Sequence, residues 1–267
     1  MSFWSSILNR TEFNMVVPSL YGTFHLIAIG AVLIITVLFA GLLRNKSGKT
    51  MRAILIVLSV LMLLVEAYII FSNSYDTITN TMEFNWSFFP WTLPVVSALI
   101  MLLAGVVKEG KFQRGLLMFL GTFSLFAGGY ILFYPAQLMT SNIVLNICQM
   151  FLYGFMFVTG VYLWAAGKVK FSMARFGGAV IVFIIVVALA IGLNTLMNQT
   201  GWNGMYDFNM LGISQYYYST IPYLSIIQDV SPWLAIAAYA GAFIVLAFIV
   251  MLFGLIIQKL SKPNTVT

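Results

Sequence analysis

Arg44-Asn45-Lys46-Ser47-Gly48-Lys49-Thr50-Met51-Arg52 places four cations in nine residues between two apolar runs, 20–43 and 53–72. Three further segments repeat the arrangement, at 108–114, 168–175 and 259–262. Together the four hold twelve of the thirteen Lys and Arg residues, and Arg10 is the exception. The alternate connections carry Asp76, Glu83, Asp207 and Asp229 and no Lys or Arg. Short loops rich in Lys and Arg stay on the cytoplasmic side of a membrane. The pattern therefore predicts a polytopic membrane protein with its N-terminus outside and its C-terminus in the cytoplasm.

Composition agrees. With 61% hydrophobic and 7% charged residues over 267 positions, the chain cannot make a water-facing surface, which usually needs roughly a quarter charged residues. The net charge of +6 sits beside the apolar runs, where anionic lipid attracts each cation by about 1 kcal/mol. We read it as topology, with no nucleic-acid partner. Cys148 is the single cysteine, which excludes an intrachain disulfide and a multi-cysteine metal site. Residues 1–19 lack a basic segment followed by a continuous apolar core, so they are expected to form an interfacial segment and not a cleaved signal.

A membrane-crossing helix needs about 20 mainly apolar residues. Seven segments qualify: 20–43, 53–72, 90–107, 115–133, 142–166, 177–197 and 232–258. The expected architecture is an all-α bundle of seven transmembrane helices over 20–258, with a cytoplasmic tail at 259–267. Pro90, Pro135 and Pro232 fall at span boundaries, and Pro94 is expected to kink the third span near its outer end. Gly121, Gly128, Gly129, Gly154 and Gly160 would let the fourth and fifth helices approach closely. No internal repeat, glycine-rich phosphate loop, ion-filter sequence or charge ladder of a voltage sensor is present, and no cofactor is implied.

Intramembrane polar residues carry the functional signal, because a charged side chain at mid-bilayer costs ~2.5–3.5 kcal/mol on insertion scales. With the topology above, His25 enters roughly 8 Å from the outer side and Glu66 falls at the same level. Ser97, Asn146 and Gln149 share that layer, and Asn194 lies slightly outward. Asn142, Asn146, Gln149 and Tyr153 recur at four, three and four residues, one helical stripe. These positions predict a polar chamber in the outer leaflet, with His25, Glu66, Ser97, Asn146, Gln149, Tyr153 and Asn194 as ligand-binding residues and with His25 interacting with Glu66. The plainer alternative is interhelical hydrogen bonding, worth about 0.6 kcal/mol per contact.

The segment 198–231 contains Trp202, Tyr206, Phe208, Tyr216, Tyr217, Tyr218 and Tyr223. It reads either as an aromatic belt at headgroup level or as a cap over the chamber. Asn85-Trp86-Ser87 and Asn198-Gln199-Thr200 match the glycosylation sequon. Cys148 is expected to be a small apolar packer. One histidine, one cysteine and one intramembrane carboxylate give no recurring metal-ligand spacing.

Tyr21-Gly22-Thr23-Phe24-His25, Glu66-Ala67-Tyr68, Phe89-Pro90-Trp91-Thr92-Leu93-Pro94, Lys108-Glu109-Gly110-Lys111, Leu120-Gly121-Thr122-Phe123-Ser124 and Tyr134-Pro135 occur in an order that resembles the YwaF-like bacterial integral membrane proteins. That family is related to a eukaryotic acyltransferase that moves fatty acyl chains between phospholipids, using a cysteine in the third span and a histidine in the fifth. The resemblance implies a lipid-related seven-helix fold. At the matching positions this chain has Pro94, Val95, Val96, Ser97 and Ala98 in place of the cysteine, and Leu152 and Tyr153 in place of the histidine. The expected function is a non-catalytic bacterial cell-membrane protein that binds a membrane lipid or amphiphile, or serves as the membrane subunit of a partner protein. The alternatives are a lipid acyltransferase or hydrolase using Ser97 or Cys148 with His25, and a carrier in which Glu66 and His25 relay protons.

Overall fold

A computed structural model describes residues 16–76, 81–82, 91–135, 138–201, 206–216 and 224–260. Arg10, Glu83, the Asn85 sequon, Pro90, Trp202, Tyr217, Tyr218 and Tyr223 lie outside the described residues, as do most of segment 1–19 and of tail 259–267.

Helix α1 runs Thr23–Leu43 and α2 Gly48–Ser74. A two-residue strand, Tyr75–Asp76, pairs antiparallel with Thr81–Met82. Then come α3, Leu93–Val106; α4, Lys111–Phe133, with a π turn at Leu120–Ser124; α5, Ile143–Ala165; and α6, Met173–Thr200. A 3-10 turn at Met210–Gly212, the short α7, Leu224–Val230, and α8, Pro232–Leu260, complete the order. Side-chain caps set four of the helix starts. Ser47, Thr92, Asn142 and Ser172 each accept a hydrogen bond from a first-turn N–H, which satisfies a donor the helix itself leaves open.

Six helices are long and apolar enough to cross a membrane; the protein is an all-α, multi-pass membrane protein. The third expected span differs. Over 90–107 the described helix occupies only Leu93–Val106, 14 residues, or about 21 Å against a hydrocarbon layer of about 30 Å. Nor does Pro94 kink it. The helix starts one residue earlier, so Pro94 lies in the first turn, where its missing N–H has no intrahelical acceptor to lose.

The four basic segments meet at one end of the bundle. Arg52 Nη2 lies 3.8 Å from Glu109 Oε1, Lys168 Nζ donates to Lys46 O at 3.1 Å, and Phe171 N donates to Gln258 Oε1 at 2.9 Å. Helix α4 forms the core. Of its apolar stretch 72% is buried, against 11% for α1, and it packs on α3, α5, α6 and α8. Much of the remaining apolar surface, such as Leu26, Ile27 and Ile34 on α1, faces outward, as a helix solvated by lipid requires. Gly128 shows why α4 and α5 come so close. A Cβ there would stand 2.7 Å from Tyr153 O and 2.8 Å from Phe157 N, both main-chain atoms.

Candidate functional site

The expected polar residues sit in the half of the bundle away from the basic segments, and three of the seven, His25, Asn146 and Asn194, serve the chain's own backbone. His25 is fully buried. Its Nδ1 accepts from Tyr21 N–H at 3.0 Å, so Nε2 carries the hydrogen and donates to Leu132 O at 2.8 Å. One ring thereby holds two awkward places. Tyr21 has a left-handed backbone, φ 58°, costly for a residue with a Cβ, and its own ring stacks on the imidazole at 5.4 Å. Leu132 O belongs to the last turn of α4, where carbonyls lack intrahelical donors.

Glu66 is elsewhere. Helix α2 continues to Ser74, which puts Glu66 eight residues, about 12 Å, from its end, whereas His25 is the third residue of α1. The expected interaction of His25 with Glu66 takes no form of hydrogen bond or ion pair among the described residues. Instead Glu66 Oε1 accepts from Thr92 Oγ1 at 2.9 Å, and Thr92 is also the N-cap of α3. The carboxylate thus sits at the positive end of α3's dipole. Tyr153 of α5 is buried and within electrostatic reach of Glu66 and of Tyr239 on α8.

Asn146 closes a loop: Thr140 N–H donates to its Oδ1 and its Nδ2 donates to Thr140 O, both at 2.8 Å. Asn142 caps α5. The stripe through these residues is thus a device for starting a helix, and Gln149 makes no hydrogen bond to another described residue. Ser97 accepts from Ser124 Oγ at 3.1 Å in a small apolar cavity lined also by Leu93, Met156, Phe183 and Phe243. Its free space of about 10 Å³ suits one water-sized group.

Asn194 is buried and pairs with Met210, accepting from its N–H at 2.8 Å and donating to its C=O at 3.2 Å. Asn198, one turn further along α6, does the same for Phe208, at 2.9 and 2.8 Å. The two amides act as a partner strand for segment 206–210, and the spacing of four residues in α6 matches two residues of extended chain. Asn209 Oδ1 accepts from Ser214 N–H, and Gln228 Nε2 donates to Ser214 O. Phe208, Met210 and Ile213 are buried, while Tyr206 and Tyr216 are exposed. Part of the aromatic connection is therefore a strap folded into the bundle. Gly201 ends α6 with φ 62°, and the ring of Tyr206 occupies the space a Cβ would need.

Sequence reasoning missed Thr92, Asn198 and the strap. The i, i+4 repeat of Asn194 and Asn198 was the available signal. From the sequence Asn198 reads only as a sequon, yet its amide is committed to Phe208. Cys148 is half-buried and packs against the core. Among the described residues no three His, Cys, Asp or Glu side chains come together, and neither Ser97 nor Cys148 hydrogen-bonds His25. No family model, curated protein or solved structure matches the chain.

Proposed function

We propose that this is a non-catalytic, multi-pass protein of the bacterial cell membrane that binds a lipid or amphiphile at Glu66, from the outward-facing half of the bundle, alone or as the membrane subunit of a partner complex. The observation that carries this reading is the state of Glu66. It is the one buried acid among the described residues, 8% exposed, and among those residues it has a hydroxyl partner and no ion pair. Buried carboxylates are costly and are usually neutralised by a partner. The resemblance to the YwaF-like proteins supplies the lipid-related part of the reading, and the single-sided clustering of cations supplies the orientation.

Acyl transfer would need an activated nucleophile with a base in hydrogen-bond reach. Ser97 instead meets Ser124, and both nitrogens of His25 are engaged, so the enzyme reading has less support. A proton-coupled carrier has one specific observation in its favour. Helix α3 begins part-way through the bundle with Glu66 at its N-terminus, and discontinuous helices often mark transport sites.

Native mass spectrometry of gently extracted protein, with lipid analysis of what co-purifies, tests the proposal. Wild type is expected to retain a defined lipid or amphiphile that Glu66→Gln loses. Unchanged retention in the variant overturns the assignment of the site. Proton-coupled uptake in vesicles that depends on Glu66 would move support to the carrier.

A further inference from the structure

Resting on the Glu66 site just described, we propose that its ligand is an amphiphile bearing a protonated amine, not a phosphate-headed one. The argument is one of charge. Thr92 donates to one carboxylate oxygen of Glu66 and the other has no hydrogen-bond partner among the described residues. Thr92 and the N-terminus of α3 set a hydroxyl donor and a positive dipole end beside the carboxyl group, and neither neutralises it as a full cation would. The phenol of Tyr153 is within electrostatic reach of Glu66, and Tyr239 stands on the other side of Tyr153.

Cations are remote. On α2 the next one is Arg52, fourteen residues away and about 21 Å down the helix. The other described Lys and Arg residues lie with it at the basic end. His25 cannot supply a hydrogen bond to an incoming anion, because its Nε2–H is spent on Leu132 O. A phosphate entering here would meet a carboxylate and no counter-charge, and like charges a few ångströms apart repel strongly in a low-dielectric interior. An ammonium gains a charge-assisted hydrogen bond to the open oxygen, and phenol rings nearby offer cation–π contact.

Isothermal titration in maltoside micelles with dodecylammonium, dodecanol and dodecyl phosphate tests the inference. Dodecylammonium is expected to bind at least tenfold more tightly than the other two. Glu66→Gln should reduce it to the level of dodecanol, whereas Glu109→Gln, which removes the exposed acid at the basic end, should retain the preference; thermal unfolding of each variant checks that it is folded. Dodecyl phosphate attracted by the basic end is recognised because Glu66→Gln leaves it unchanged. Glu66-dependent binding of dodecanol or dodecyl phosphate that equals that of the amine overturns the amine assignment and leaves the binding site standing. An ammonium preference that survives Glu66→Gln, or no binding of any probe together with no co-purified lipid, overturns both.

Discussion

His25, Asn146, Asn194 and Asn198 each offer a donor and an acceptor, and each spends both on one stretch or junction of main chain. Glu66 lies in the same half of the bundle and does not. The difference is chemical before it is positional. A neutral imidazole or an amide can satisfy an N–H and a C=O together, so evolution can use it to fasten a turn inside a membrane, where open backbone groups are costly. A carboxyl group has no N–H and C=O pair to offer a strand, and toward Thr92 it accepts. It cannot replace a neighbouring strand, and here it meets one hydroxyl. Intramembrane polar groups therefore divide into those that fasten main chain and Glu66, the proposed receptor, and depth alone does not separate the two.

The largest test of that division is the strap. Replacing Asn194 and Asn198 together by Leu leaves the N–H and C=O of Phe208 and Met210 unpaired, at a cost on the order of 4 kcal/mol. Hydrogen exchange in segment 206–214 should accelerate strongly. Unchanged exchange would mean that burial of Phe208 and Met210 holds the strap without the amides.

His25→Phe keeps a ring and removes both bonds. We expect a loss of about 2 kcal/mol, read as a lower unfolding temperature in detergent. Stability equal to wild type would remove His25 from the fastening group.

Glu66→Gln should change stability by no more than about 1 kcal/mol in either direction, because the desolvation cost of the charge disappears together with its helix-end interaction. A loss as large as that of His25→Phe would place Glu66 among the fasteners and weaken its role as a receptor. The smallest effect is expected for Gln149→Leu, about 0.5 kcal/mol or less, since its amide has no partner among the described residues.

Much of the helix layout was legible because it rests on long apolar runs and on the distribution of Lys and Arg, which composition alone dictates. The caps at Asn142 and Ser172 mark their helix starts within a residue or a few. What was less legible depends on partners distant in sequence. Nothing local tells that His25 will find Leu132 O, 107 residues away, or that Trp91 will donate to Val186 O where α3 begins. The apolar run leading into Pro94 made the third span look longer than its helix. In the candidate layer the residue types were readable and their partners were not, because a hydrogen bond is fixed by the direction of a side chain and depth fixes only its level.

The π turn of α4 has a consequence for how the chain tolerates changes of length. Leu120–Ser124 inserts the equivalent of one extra residue into a regular helix, and the carbonyl of Gly121 is then met by Trp164 Nε1 at 2.8 Å. On the basic side of this turn Gly115 approaches Gly178 of α6; beyond it Gly128 lies against the main chain of α5. The turn works as a phase joint between two contact faces. Deleting one residue at the turn would close it to a regular α turn with the two faces still in phase, whereas deleting one elsewhere between Gly115 and Gly128 would rotate one half of α4 against the other by roughly 100°, turning Gly128 away from Tyr153 and bringing a residue with a side chain into a gap that has no room for a Cβ. A rod that looks interchangeable in composition is thus keyed at its middle, and its length is as constrained as its sequence.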